Sequence, residues 1–346
     1  MRSRLVRGAA LAMMASALLA TFPLEAGATA TPLSSGVAWL TDKVHSGGYV
    51  ATSGSTPDLG STAEVAMALH AATGNTATVT SMLSYLAAHE GAYIDGTAGA
   101  SPTNDDAGSL AELILLAHAT GTQTQFGSAA LVTRLEATQS TLSPGLFGAA
   151  DPTYNGTIRQ SLALEALSVS NVSLASSPIT SGITWLEAQQ CSNGGFSADA
   201  AATGFTGCTS SQYAGPDSNS TADALMALGA LGRSHDSAVP SALSFLSSME
   251  RPHGAFGYLP GNGGDADSTS DVIMGLRAVG QSPGSKANRW TRGGVAPTTA
   301  LLTFQVKAPG SSVGGFRWQM TSISPNPDIV SSEQAVLALT GELPTA

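Results

Sequence analysis

A helix-start motif that recurs six times most constrains how this chain can fold. In each copy a Ser or Thr stands where a helix N-cap belongs, an acid or amide follows three residues later, and an apolar run comes next. The six pairs are Ser61/Glu64, Ser109/Glu112, Thr157/Gln160, Ser220/Asp223, Ser268/Asp271 and Ser331/Gln334. We interpret each pair as a capping box, which predicts a helix beginning at each of these six positions.

The spacing of the six motifs indicates a repeat architecture. The first two predicted caps are 109 − 61 = 48 residues apart, and the same interval recurs twice more along the chain. The other two intervals are 220 − 157 = 63 and 331 − 268 = 63 residues, so two repeats carry about 15 additional residues. A fixed period of this size, with one helix pair in each unit, is typical of repeat proteins.

A second marker, a glycine followed closely by an aromatic residue, precedes every predicted cap. The copies are Gly47-Gly48-Tyr49, Gly91-Ala92-Tyr93, Gly145-Leu146-Phe147, Gly194-Gly195-Phe196, Gly254-Ala255-Phe256 and Gly314-Gly315-Phe316. Another helical run comes before each turn, so every unit reads as helix, turn, loop and capped helix. The capped helices are rich in small residues, which favours an inner position where helices pack closely on several sides. We therefore predict an all-α fold, an (α/α)6 toroid of six helix pairs within approximately 34–76, 77–125, 126–174, 175–237, 238–286 and 287–346.

The fourth repeat resembles a known family. Trp185-Leu186-x-x-Gln189, then Gly194-Gly195-Phe196, then Asp217-x-x-Ser220-Thr221-Ala222 is similar to the prenyltransferase/squalene-oxidase repeat. Six such repeats resemble the α/α toroid of terpenoid cyclases, protein prenyltransferase β-subunits and cobalamin carriers of the transcobalamin type. The resemblance extends over nearly all of the chain from Ser34 and implies the fold, but one fold hosts many functions.

The N-terminus has the pattern of a secretory signal peptide. Three arginines precede an apolar stretch over residues 8–24, and small residues with candidate cleavage sites after Ala30 or Ala28 follow. An uncleaved membrane anchor is the alternative. No later apolar run is long enough to cross a bilayer, so we expect a secreted protein that is not embedded in a membrane. Without residues 1–30 the chain has 14 − 3 = 11 basic and 24 − 1 = 23 acidic residues, and this net charge of −12 argues against nucleic acid as a partner.

The two cysteines, Cys191 and Cys208, both lie in the fourth repeat. Secretion favours a disulfide between them. The competing interpretation is a metal site completed by a nearby carboxylate or histidine, as in the zinc site of protein prenyltransferases. Those enzymes carry their cysteine within the inner helix, where neither cysteine of this chain lies. The sequence therefore predicts a disulfide and no metal.

One acidic motif resembles a catalytic one. Asp265-Ala266-Asp267-Ser268 is similar to the Asp-x-Asp-Asp motif of class II terpenoid cyclases, whose middle acid protonates the substrate. Asp267 matches that acid, and Asp265 matches the first. Against catalysis, Asp265 has counterparts in four other repeats, aromatic residues make up only 5% of the chain, and the resemblance includes one toroid rather than two domains. We expect Asp267 to be a solvated turn residue that is ionised at neutral pH.

The inner helices all begin at one end of the predicted toroid, and we expect a ligand to bind there because loops and unpaired N–H groups converge. The candidate ligand-binding residues are Tyr49, Tyr93, Tyr154, Phe196, Tyr213, Phe256, Asp217 and Asp267. The leading hypothesis is a non-catalytic secreted protein that binds a small molecule or a surface partner, without a cofactor. The resemblance keeps a cobalamin-like ligand open, with a partner chain completing the site. The alternatives are an enzyme of the cyclase or prenyltransferase type and a structural surface scaffold.

Overall fold

Twelve helices of the computed structural model form two concentric rings. The model describes residues 30–95, 103–126, 128–148, 156–197, 208, 215–285, 289–320 and 325–345. The inner ring consists of α2 (Leu59–Thr73), α5 (Ala107–Thr120), α7 (Thr157–Ser168), α9 (Ser218–Ala230), α11 (Ala266–Ala278) and α13 (Ile329–Thr340). The outer ring consists of α1 (Pro32–Lys43), α3 (Ala77–Ala88), α6 (Ser128–Ala137), α8 (Ser177–Glu187), α10 (Ala238–Met249) and α12 (Pro297–Leu301).

Two smaller features lie in the segments that connect an outer helix to the next inner helix. A short helix, α4 (Glu90–Ile94), follows α3. The strands β1 (Phe196–Ser197) and β2 (Pro216–Asp217) pair antiparallel, with Phe196 opposite Asp217, and this pairing ties the start of α9 to the Gly-aromatic turn before it. The predicted signal peptide lies outside the described residues.

The ring is closed. Each inner helix packs against the next in chain order, and α13 packs against both α2 and α1. The side chain of Gln305 donates to the Pro32 carbonyl oxygen at 2.7 Å, so the last repeat is also bonded to the first outer helix. Small residues allow the inner helices to approach: a Cβ at Gly275 of α11 would lie 2.6 Å from the Ala222 carbonyl oxygen of α9. The predicted (α/α)6 toroid is confirmed.

The predicted capping boxes are wrong in position. The N-caps of five inner helices are Asp58, Asp106, Asp217, Asp265 and Asp328, each three residues before the predicted Ser. Each Asp side chain accepts a hydrogen bond from the backbone N–H of that Ser, as in the 2.8 Å bond from Ser220 to Asp217. A carboxylate caps well because it accepts from the first-turn N–H groups and interacts favourably with the positive end of the helix dipole. Glu64, Glu112, Asp223 and Asp271, which were predicted as capping partners, therefore do not cap these helices.

The third repeat also differs from its predicted register. The N-cap of α7 is Gly156, 50 residues after Asp106 rather than 48 (156 − 106 = 50). Gln160 lies at the fourth position after its cap, as Thr62 does in α2. Both side chains accept a hydrogen bond from a backbone N–H of the preceding Gly-aromatic segment, Gln160 from Phe147 at 2.9 Å and Thr62 from Val50 at 3.1 Å. The residue of α7 that corresponds to Glu64 is consequently Leu162.

The Gly-aromatic turns join the inner and outer rings. Phe147, Phe196, Phe256 and Phe316 are fully buried. The glycine before them has a positive φ, 91° at Gly194, and a Cβ at Gly194 would overlap the carbonyl oxygen of Ser241 in α10. Glycine is required there for both its backbone conformation and its lack of a side chain.

Candidate functional site

A cavity of about 240 Å³ lies at the centre of the inner ring. All six inner helices contribute to its wall, together with Pro344 from the segment that follows α13. The lining contains six carboxyl groups and no Lys, Arg or His. These carboxyls belong to Glu64, Glu112, Glu165, Asp223, Asp271 and Glu333.

The wall is organised in two layers, because residues three apart in a helix share one face. The sixth residue after each N-cap forms what we call the acid layer: Glu64, Glu112, Leu162, Asp223, Asp271 and Gln334. The ninth residue after each cap forms the apolar layer: Met67, Leu115, Glu165, Met226, Met274 and Leu337. Glu165 is therefore the one acid among the side chains of the apolar layer.

Glu165 has an unusual environment for a carboxyl group. The residue is 3% exposed, and its Oε1 atom has no hydrogen-bond partner among the described residues. Burial raises the pKa of Glu165 to about 8. At neutral pH the protonated form of this side chain therefore predominates, and the residue forms part of the cavity wall.

Asp223 of α9 and Asp271 of α11 continue the acidic wall beside Glu165. Burial raises the pKa of Asp223 well above its ordinary value, and the nearby Glu165 charge raises it further. The pKa of Asp271 is likewise raised, by burial first and then by the charge of Asp223. Like charges this close in a buried site cannot all ionise, so neighbouring carboxyls divide protons between them.

Glu333, Glu64 and Glu112 form the opposite wall. The two side-chain oxygens of Glu333 receive no hydrogen bond from an amide or hydroxyl among the described residues. The neighbouring carboxyl of Glu64 can share a hydrogen bond with Glu333 only when one of the two groups is protonated. Burial and the Glu64 charge raise the pKa of Glu333 well above its ordinary value.

Tyr93 distinguishes Glu112 from the other acids. The Tyr93 hydroxyl donates a hydrogen bond to Glu112 Oε2. Burial, followed by the charge of Glu64, raises the pKa of Glu112 to about 8, while the bond from Tyr93 lowers it. The pKa of Tyr93 is also raised, mainly by burial. Tyr93, predicted as a ligand-binding residue, thus lies against the cavity wall, and its partner Glu112 is already hydrogen-bonded.

Asp267 differs from its sequence-based expectation. It is half-buried, and its Oδ1 accepts a hydrogen bond from the Ser331 hydroxyl of α13 at 2.6 Å. Burial raises the pKa of Asp267 to about 7, so the expected solvated and fully ionised group is wrong. Asp267 lies at the second position of α11, close to the cavity entrance but outside the lining. Asp265 is the N-cap of the same helix, and its carboxylate accepts from Ser268 at 2.7 Å.

The other predicted ligand-binding residues do not meet in one place. Phe196 and Phe256 are core residues between the two rings, and Asp217 is a fully buried N-cap, so none of the three presents a surface to a ligand. Tyr49 is half-buried and stacks on His45, with ring centroids 4.7 Å apart. Tyr154 and Tyr213 lie outside the described residues.

The acid layer was missed because its members were interpreted as capping partners. The sequence does contain a signal for this layer. Glu64, Glu112, Asp223 and Asp271 occupy the same position in four inner helices, and most residues around them are small or apolar. Once the caps are moved to the Asp residues, that position faces inward.

The predicted disulfide is present: Cys191 and Cys208 are bonded. Within the described ranges, no group of three or more His, Cys, Asp and Glu side chains has an arrangement suited to a metal ion. None of the helices there is both long and apolar enough to cross a membrane.

Two other cavities lie away from the centre. One of about 310 Å³ is lined by His118 and by residues of α5 and α6, and one of about 350 Å³ is lined by Arg251 and by residues of α10. Each has a single charged or titratable side chain in its wall. Neither offers the neighbouring acid and base that the central cavity holds, so the central cavity is the candidate site.

Comparison with known proteins supports the fold. No protein-family model matches the chain, and no curated protein matches it. Among solved structures, an unsaturated glucuronyl hydrolase from Bacillus sp. GL1, responsible for the degradation of glycosaminoglycan, has a TM-score of 0.60 and 11% sequence identity, with 89% of this chain and 95% of that chain covered. A type II terpene cyclase from Scytonema has a TM-score of 0.56 and 15% identity, with 91% and 98% covered. A protein from Actinoplanes has a TM-score of 0.58 and 14% identity, with 90% and 97% covered.

These similarities extend over almost the whole length of each chain, so the resemblance seen in the repeats is confirmed at the level of fold. The hydrolase and the cyclase are both enzymes, and these similarities give no support to the cobalamin-carrier branch. The chain therefore has the terpenoid-cyclase-like α/α-toroid fold that is shared by glycoside hydrolases and type II terpene cyclases.

Proposed function

We propose that this protein is an extracellular glycoside hydrolase that cleaves an uncharged saccharide in the central cavity. The observation that carries the proposal is Glu165, a lining residue whose burial favours the protonated carboxyl, beside a second lining carboxyl, Asp223. Glycoside hydrolysis needs two carboxyl groups, one protonated and one ionised, on either side of the scissile bond.

Glu165 is the general acid in this proposal. Burial raises its pKa to about 8, so the protonated form predominates at neutral pH and can donate its proton to the oxygen of the leaving sugar as the glycosidic bond breaks. The reactive state is the one in which the pair has lost one proton and Glu165 keeps the other, so that Asp223 is ionised and either attacks the anomeric carbon or removes a proton from the attacking water. Because burial raises the pKa of Asp223 as well, this state becomes populated as the pH rises. If Asp223 attacks the sugar, Glu165 then takes a proton from the water that hydrolyses the glycosyl-enzyme bond. If Asp223 instead takes the proton of the attacking water, the two carboxyls exchange one proton with solvent to restore the starting state. The step uses residues of a single chain and needs no cofactor.

The charge of the cavity favours a neutral substrate. Six carboxyls line it, and no cationic side chain there could pair with a uronate or a phosphate. An anion in this buried site would lose its hydration without gaining a cationic partner, and any carboxyl that is ionised would repel it. The proposed substrate class thus differs from that of the glucuronyl hydrolase, whose name indicates a uronic acid.

The cyclase alternative fits the cavity less well. A carbocation is stabilised by aromatic faces, yet the lining residues include no Phe, Tyr or Trp. Asp267 has a raised pKa but is not part of the lining. The basic and apolar leader in the sequence supports an extracellular location.

The test is hydrolysis of a panel of oligosaccharides by the purified protein, followed by chromatography of the products. Neutral β- and α-linked gluco-, xylo- and manno-oligosaccharides are compared with oligogalacturonates. We expect cleavage of at least one neutral series, loss of at least 100-fold in kcat for Glu165→Gln and Asp223→Asn, and no cleavage of oligogalacturonates. Glu187→Gln, on the outer surface of α8, is the matched control and should retain full activity. Binding of neutral sugars without cleavage by the wild type would refute the catalytic proposal.

A further inference from the structure

Three exposed apolar side chains lie at the end of the ring where the inner helices begin. Trp318 is 43% exposed, Met320 58% and Val330 37%. Val330 lies in the first turn of α13, and the other two precede that helix, so all three are at the end where the inner helices begin. Large apolar side chains clustered in solvent beside a cavity indicate a binding surface.

The backbone holds Trp318 over the start of the neighbouring inner helix. The N–H of Ala266, the first residue of α11, donates to the Trp318 carbonyl oxygen at 2.9 Å. One repeat earlier, the N–H of Ser218, the first residue of α9, donates to the Tyr258 carbonyl oxygen at 3.0 Å. In both repeats this position, two residues after the buried Phe of the turn, carries a large aromatic side chain. The first residues of two adjacent inner helices are thus each hydrogen-bonded to the backbone of an aromatic residue.

Polar side chains accompany the two aromatic residues. Asn219 and Asp267 are the second residues of α9 and α11, and Asn219 also lines the central cavity. Asp267 is oriented by the Ser331 hydroxyl. An aromatic ring beside amide and carboxyl groups suits a sugar, since the ring packs on the apolar C–H face and the polar groups bond the hydroxyls.

We infer that Trp318 and Tyr258 form an outer subsite that binds a further uncharged pyranose ring of the substrate, beyond the two rings joined by the bond that is cut at Glu165. This inference rests on the proposed glycoside hydrolysis, and it adds that the substrate is an oligosaccharide rather than a disaccharide or a small glycoside. Asp267 would bond a sugar hydroxyl.

Binding can be tested without turnover by tryptophan fluorescence. The chain has four tryptophans, and Trp318 is the exposed one. Trp39, Trp185 and Trp290 are buried. Acrylamide quenching of tryptophan fluorescence therefore reports mainly on Trp318. In the Glu165→Gln variant we expect neutral pentasaccharides to reduce the quenching constant, and disaccharides and oligogalacturonates to leave it unchanged. A quenching constant unaffected by every neutral pentasaccharide would overturn the subsite, even if the wild type cleaves them.

Kinetics provide the second test. Trp318→Ala should raise KM for a cleaved pentasaccharide about five- to tenfold, with kcat unchanged and with little effect on a disaccharide. Leu142→Ala removes an exposed apolar side chain elsewhere and is the control. An equal effect of Trp318→Ala on substrates of both lengths would refute the subsite. If the wild type cleaves nothing but pentasaccharides still protect Trp318, the subsite stands and the hydrolase proposal fails.

Discussion

Replacing Glu165 by glutamine should stabilise the protein at neutral pH while removing its activity. The pKa of Glu165 is raised from its ordinary value of 4.5 to about 8 by burial. Between these values the unfolded chain has lost the proton that the folded chain still holds, so the folded state becomes less stable as pH rises. At about 1.36 kcal/mol per pKa unit, the penalty reaches about 3 kcal/mol at pH 7 and about 5 kcal/mol at pH 8 and above, and it vanishes below pH 4.5.

Glutamine has nearly the shape of the protonated acid and does not ionise, so Glu165→Gln removes this penalty. We expect its free energy of unfolding, measured by urea titration, to exceed that of the wild type by about 3 kcal/mol at pH 7 and to equal it at pH 4.5. The corresponding gain in Tm at pH 7 is about 5–10 °C.

Glu187→Gln is the control for this measurement. Glu187 lies on the surface of α8, 3.5 Å from Arg233, and surface pairs of this kind contribute about 0–1 kcal/mol. If Glu165→Gln were no more stable than Glu187→Gln at pH 7, Glu165 would not be held protonated by burial, and its role as general acid would lose its basis.

Three further predictions concern the fold. Gly194→Ala should destabilise by more than about 3 kcal/mol, because the new Cβ meets the backbone of α10, whereas Gly121→Ala, also at positive φ but facing open space, should cost about 1 kcal/mol; thermal unfolding compares the two. Asp217→Ala should destabilise by about 1–2 kcal/mol, and more than Ser220→Ala, because Asp217 is the N-cap; equal effects in urea titration would contradict this. Cys191→Ser should lower the free energy of unfolding by about 3 kcal/mol, and an unchanged Tm under oxidising conditions would refute a stabilising disulfide.

The fold could be predicted from the sequence because each repeat carries its own local signals. The Gly-aromatic turn and the polar start of each inner helix recur with a near-constant period, and neither depends on distant residues. The disulfide was predictable for the same reason, since both cysteines lie in one loop region.

The site could not be predicted because it depends on register and on contacts between repeats. Two residues three apart, such as Asp217 and Ser220, are both good N-caps, and choosing Ser gave Asp223 the role of a capping partner. The structure places Asp223 one turn further into the helix, at the cavity wall. The buried state of Asp267 likewise depends on Ser331, which is 64 residues away in sequence.

The pH dependence of kcat/KM on a cleaved neutral oligosaccharide tests the central claim most directly. If Glu165 is the proton donor, activity should fall as pH rises through about 8, because the acid loses its proton there. Glu165→Gln should show no measurable activity at any pH, since an amide cannot replace the proton donor, whereas Glu187→Gln should reproduce the wild-type profile. Activity that persists in Glu165→Gln with an unchanged alkaline limb would contradict the assignment of Glu165 as the catalytic acid.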